Sequence, residues 1–90
     1  MKLQSDLSKQ RMRNRLNRLE GQIHGINHMI DEERECAEVL QQLTAARSAL
    51  QGTIEVFTEQ MVNDCLLSDN ISKEERCKLA AEMLAVIHKT

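Results

Sequence analysis

The chain has 90 residues, with no Pro, Trp or Tyr, one Phe and three Gly; 41% are apolar, 29% are charged, and the formal net charge is −2. One aromatic residue and no proline exclude an all-β sandwich or barrel, whose strands and turns draw on those residues, and the apolar content excludes disorder. The expected class is all-α, a helical bundle or coiled coil in one domain over residues 1–90. With so few aromatics the core is thin, so a small chain with long helices should rely on oligomerisation.

The first helix is predicted from about Ser5 to Asp31. Leu16, Leu19, Ile23, Ile26 and Ile30 step by three and four, the seam of a coiled-coil-like bundle. Gly21 and Gly25, four residues apart, interrupt this helix and suit a close helix crossing. Five bases, Lys9, Arg11, Arg13, Arg15 and Arg18, lie between Leu7 and Leu19 with no acid; the rest of the chain holds seven bases against fourteen acids. This asymmetry suggests one surface for a polyanion on an otherwise acidic protein, and its bland alternative is a solvated helix face. Arg11, Arg15 and Arg18, at i, i+4 and i+7, share one flank.

Asp31, Glu32, Glu33 and Glu35 mark a turn, and their charge suits the N-terminus of the next helix. That helix is predicted from about Glu35 to Leu67. Cys36, Leu40, Leu43, Leu50, Ile54, Phe57, Met61 and Cys65 recur at steps of three or four, with Arg47 in the gap. Roughly 45 Å of helix is too long for a compact monomer of this size. Ser68-Asp69-Asn70 reads as a turn, and Ser72 with Glu75 as a capping box opening a third helix to about His88. Leu79, Met83, Val86 and Ile87 form its apolar stripe. Residues 1–20 hold no apolar signal segment, and no run approaches the ~18 apolar residues of a membrane span. The three cysteines are far apart with no C-x-x-C pair, so the expected setting is the reducing cytoplasm, without a membrane partner.

Cys36 and Cys65 fall on one face of the long helix, near its two ends. They are 29 residues apart, roughly 43 Å along a straight helix. Such residues meet only between two copies packed antiparallel about a two-fold axis near Leu50 and Gln51, which creates two equivalent dithiol sites. The alternative is that each is a small buried hydrophobe. Met61 on the same stripe reads as core packing and Cys77 as an unpaired thiol. His24 and His28 are an i, i+4 pair able to hold a metal, yet they lie opposite the apolar seam, where solvated histidines are expected. His88 carries no argument.

Three stretches resemble the CsoR/RcnR family of small all-helical bacterial repressors: Arg15-Leu-Asn-Arg-Leu-Glu-Gly-Gln-Ile-His-Gly-Ile, Met29-Ile-Asp-Glu-Glu followed by Cys36, and Val39-Leu-Gln-Gln-Leu-Thr-Ala-Ala-Arg-Ser-Ala-Leu. The resemblance spans residues 10–66. It implies three-helix protomers, an antiparallel helix-pair homodimer and a flat homotetramer. It also implies binding to operator DNA that ends when an inducer acts at the helix-two cysteine. Members sort by what accompanies that cysteine, and the corresponding positions here are Cys36, Met61 and Cys65. The histidine of copper(I) sensors is absent, Glu35 stands where they often place Tyr, no Pro follows Met1 as in formaldehyde sensors, and the added histidines of nickel and cobalt sensors are missing.

A dithiol without imidazole resembles the persulfide-sensing CstR branch. There Cys36 or Cys65 attacks a sulfane sulfur, and the facing thiol resolves the persulfide into a di-, tri- or tetrasulfide. Reactive sulfur species are then the inducer, and no cofactor is needed. The alternative is a Cu(I) site of Cys36, Cys65 and Met61, all soft ligands. The expected DNA contacts are Lys9, Arg11, Arg13, Arg15 and Arg18, with Arg47 matching a basic position of the family. Two other classes stay open: a thiol enzyme or sulfur carrier, and a helical interaction module without nucleic acid. No His-Cys nucleophile arrangement and no glycine-rich phosphate loop is present, which argues against an enzyme.

Overall fold

The structure, a computed structural model, describes residues 2–3, 5–66 and 71–88. Among the described residues there are three helices and no strand: α1 (Asp6–Asp31), α2 (Cys36–Met61), which continues into a π-helical turn over Val62–Leu66, and α3 (Lys73–Ile87). The expected Ser68-Asp69-Asn70 turn lies outside the described residues. Serines open both outer helices. The Ser5 hydroxyl accepts from the Ser8 amide at 3.3 Å and the Ser72 hydroxyl from the Glu75 amide at 3.2 Å, each satisfying one amide that the first helical turn leaves unpaired. α2 starts after Glu35, whose side chain makes no such bond.

The acidic stretch closes α1 more than it opens α2. The Glu32 amide donates to the His28 carbonyl, the Glu33 amide to Ile30 and the Arg34 amide to Met29, which is a Schellman closure. Glu33 holds the left-handed position at φ 57°, where Gly or Asn is usual. The Arg34 guanidinium lies 3.0 Å from Glu38 and 3.6 Å from Glu32, and both carboxylates raise its pKa, Glu38 the more strongly. All three side chains are exposed, so the pairing contributes little to stability.

α1 packs on α2, and the seam differs from the predicted one. Ser8, Met12, Arg15, Leu19, Gln22, Ile26 and Met29 are withdrawn from solvent along one line of α1, in alternating steps of four and three, and Lys9 is half-buried off that line. Met12, Leu19 and Ile26 are its apolar half, 5–8% exposed. Leu16, Ile23 and Ile30, expected in the seam, are 47%, 50% and 57% exposed. On α2 the facing strip is Val39, Ala46, Thr53 and Gln60, seven residues apart, with Gly52 and Val56 beside it. Polar seam positions of α1 are accommodated because this strip is small or polar; the Ser8 hydroxyl, for example, donates to Gln60 Oε1. The predicted α2 stripe is turned away, with Leu40 64% and Leu43 49% exposed.

Two apolar faces thus remain uncovered, and the chain is a thin slab of 55 × 28 × 13 Å. Its radius of gyration is 17.2 Å, against about 12 Å for a compact chain of this length. It exposes 7169 Å², where a compact monomer exposes about 5,400 Å². α3 meets the far end of α2 and closes an apolar groove of about 510 Å³ among Leu16, Ile54, Phe57, Met61, Leu79 and Met83.

Gly21 and Gly25 make no close crossing within the chain, since nothing lies within 4 Å of a Cβ placed on either. Both sit mid-helix, where Gly is destabilising by about 0.5–1 kcal/mol relative to Ala. Gly21→Ala and Gly25→Ala are therefore each expected to raise stability by about that amount in urea unfolding followed by far-UV circular dichroism. A loss of more than about 1 kcal/mol would place another chain against this face.

Candidate functional site

The helical phase divides the five-base stretch in two. Arg11, Arg15 and Arg18 share one flank of α1, while Lys9 and Arg13 stand roughly 150–170° around the helix at 100° per residue. Arg11 and Arg18 are exposed, and Arg15 is half-buried because it occupies a seam position. Its Nη1 lies 3.7 Å from where a Cβ on Gly52 would stand. Arg15, Arg18, Leu19 and Gln22 of α1 face Ala49 and Thr53 of α2 across a groove of about 270 Å³. The Thr53 hydroxyl donates to the Ala49 carbonyl at 2.8 Å, so it satisfies itself on its own helix and leaves the groove to the arginines. Gly52 and Ala49 are what sequence reasoning missed. The available signal was a cluster of small residues in mid-helix where bulky ones would fit an ordinary core.

Arg47 is exposed on α2 beside Leu43 and Leu50 in phase. It is five residues from Gly52, about 140° around α2. Within one chain it does not join the α1 flank.

The thiols are also kept apart. Cys36 is exposed at the first position of α2. Cys65 lies in the π-helical turn at the other end of that helix, and its side chain lies outside the described residues. A π-turn closes i→i+5 bonds, so Cys65 leaves the phase that a regular α-helix would give it. In the same turn the Asp64 Oδ2 is buried without a hydrogen-bond partner among the described residues. Met61 lines the apolar groove with Leu79 and Met83. Cys77 is exposed on α3. His24 and His28 are exposed on the outer face of α1, their rings edge to face with centroids 5.1 Å apart. Among the described residues no group of three or more His, Cys, Asp or Glu side chains is placed to hold a metal ion, and no helix is long and apolar enough to cross a membrane.

Residues 8–89 match the metal-sensitive transcriptional repressor family. The chain belongs to that family. It is 31% identical over 85 residues to the copper-sensing transcriptional repressor CsoR of Bacillus subtilis (strain 168), covering 94% of this chain and 83% of the relative. It is 35% identical over 81 residues to the transcriptional repressor RcnR of Escherichia coli (strain K12), covering 84% and 87%. Its fold is similar to a variant of the formaldehyde-responsive regulator FrmR from Salmonella enterica serovar Typhimurium, with a TM-score of 0.85 and 26% identity over 93% of this chain and 94% of that one. The CsoR/RcnR resemblance thus holds at family level, and the three-helix all-α fold with it. Members of the metal-sensitive repressor family are transcriptional regulators, not enzymes.

The Arg11, Arg15 and Arg18 flank gathers three guanidinium groups, and guanidinium gives directional hydrogen bonds to phosphate oxygens. Arg15→Ala with Arg18→Ala is expected to abolish binding to the DNA that the unaltered chain retains, with helicity unchanged by circular dichroism. Arg18→Ala alone, at the exposed position, should weaken binding and flatten the log–log salt slope by about one for each phosphate no longer neutralised. Unchanged affinity and slope in both variants would remove this flank from the interface.

Proposed function

We propose that the chain, as one domain over residues 1–90, is an operator-binding repressor of the persulfide-sensing kind, assembled as a homodimer and homotetramer. The observation that carries this reading is the α2 strip: Cys36 is exposed at its head, Cys65 stands at its other end, and Leu40, Leu43, Leu50, Ile54 and Phe57 between them are 38–64% exposed. A second copy laid antiparallel on that strip covers the apolar residues and sets each Cys36 beside the partner's Cys65. The thin slab and its excess surface support assembly. The cytoplasm is the matching setting, because free thiols persist there.

The chemistry is thiol exchange. The Cys36 thiolate attacks the outer sulfur of a persulfide RSSH; the S–S bond of the donor breaks, RS⁻ leaves and takes a proton, and Cys36 carries an S–SH group. The Cys65 thiolate of the other copy then attacks Cys36 Sγ. A Cys36–Cys65 disulfide forms, hydrosulfide departs and is protonated to H₂S, and the two electrons lost by the thiols have reduced the donor's sulfane sulfur. Further sulfane sulfur inserted before resolution lengthens the bridge. A covalent bridge holds the two α2 helices in a new relation, and the α1 flanks, fixed to α2 through the Gly52 groove, move with them away from the DNA backbone. Lys9, Arg13 and Arg47 join Arg11, Arg15 and Arg18 as DNA-binding residues where assembly brings several copies along one duplex.

The family description implies a metal, and among the described residues no three donors of one chain converge on one. Copper(I) is the second reading, favoured by the copper-sensing relative. Cys36, Cys65 and Met61 would be its soft ligands across two copies, the metal supplying a bond between the helices. Met61 lies among Leu79 and Met83 in the groove, a packing role that supports the thiol-only reading.

Anaerobic exposure to polysulfide is expected to give a sulfur-bridged dimer by intact-protein mass spectrometry together with release of bound DNA. Cys36→Ser and Cys65→Ser should each prevent both, and Cys77→Ser neither. DNA release by Cu(I) with no response to sulfane sulfur would overturn the proposal in favour of the copper reading.

A further inference from the structure

His24 and His28 take no part in the thiol chemistry or the basic flank, and Gly21 and Gly25 beside them make no close packing contact. We propose that these two histidines form a second, thiol-independent binding site for one divalent ion of the nickel, copper and zinc group. The pair stands at i, i+4, the spacing by which a single helix presents two imidazoles to one ion. The rings are already neighbours, edge to face with centroids 5.1 Å apart, and both side chains are exposed. Side-chain rotation is what would bring one nitrogen of each ring to a common ion, as in other helical histidine pairs four residues apart.

Two features of the surroundings favour a cation there. Gly21 precedes His24 by three residues and Gly25 precedes His28 by three, so each imidazole is flanked on its own helix face by a residue with no side chain. No atom lies within 4 Å of a Cβ built on either glycine, which leaves space for the water molecules that complete the ion's coordination. The site also lies in the last turns of α1, where the carbonyl end of the helix favours positive charge, and Glu20 and Asp31 stand exposed one turn to either side. No third protein donor converges among the described residues, so the ion has two imidazole ligands and water. Imidazole selects the nickel, copper and zinc group over magnesium or calcium.

The face is opposite the seam with α2, so binding leaves the α1–α2 packing undisturbed. The site is independent of the persulfide reading, because it contains no thiol.

The test is calorimetric titration of the full chain with Ni²⁺ after alkylation of Cys36, Cys65 and Cys77, with far-UV circular dichroism to show that each variant is folded. One Ni²⁺ per chain is expected, weakened about tenfold or more by His24→Ala and likewise by His28→Ala. His24→Ala combined with Asn17→His keeps the number of histidines but sets the pair three turns apart, and it should be as weak as His24→Ala alone. Failure of the alkylated chain to bind Ni²⁺, or an affinity unchanged in the double variant His24→Ala/His28→Ala, would overturn the proposal. So would full affinity in the displaced-histidine variant.

Discussion

The pairing of α1 with the small-residue strip of α2 governs the rest of the molecule. Val39, Ala46, Gly52 and Thr53 leave room for a seam in which Arg15 and Gln22 alternate with Met12, Leu19 and Ile26. Each of those three apolar residues contributes about 1.5–3 kcal/mol by burial, which is a small core for so long a chain. The larger apolar residues, Leu16, Ile23 and Ile30 on α1 and the Leu40 to Phe57 stripe on α2, stay outside it. An interior built from small and polar groups leaves the big hydrophobes at the surface. That is the opposite of a self-sufficient domain.

This arrangement ties the two functional regions together. Arg15 lies along α2, its Nη1 3.7 Å from where a Cβ on Gly52 would stand, so the basic flank packs on the helix that carries Cys36 and runs on to Cys65. In the proposed assembly, a change in how α2 meets another copy would carry α1 with it. Packed helices shift between discrete arrangements more readily than they deform. The π-helical turn that holds Cys65, with an Asp64 oxygen buried without a partner among the described residues, puts the least regular part of α2 at the thiol, and such turns are frequent at functional sites.

Membership of the metal-sensitive repressor family accounts for the fold and the transcriptional role, while the donor set accounts for the proposed departure in inducer. A soft dithiol without imidazole favours sulfur chemistry as readily as it does a soft metal. Of the chain's three imidazoles, His24 and His28 sit on the far side of α1 and His88 stands at the end of α3.

Helix number, the helix starts and the Ser72 cap were legible in the sequence, because they rest on local signals: Ser72 three residues before Glu75, and periodic apolar residues over long segments; the Ser5 cap and the π-helical turn after Met61 were not. The positions of Cys36 and Cys65 near the two ends of one long helical segment were legible as a spacing of 29 residues. The seam was not. Sequence reasoning assigns the largest apolar residues to the interior, and here α1 and α2 meet instead through Ala46, Thr53, Gly52 and the polar Arg15 and Gln22. Helical phase alone sets Arg11, Arg15 and Arg18 apart from Lys9 and Arg13, and what the helix pairing adds is that Arg15 lies half-buried against α2. The sequence by itself determined an all-α chain with a basic first helix and cysteines at the two ends of the second. The tertiary structure decided which face of each helix is spent within the chain, because that depends on how closely two backbones approach, and no periodicity along one strand of sequence carries that distance.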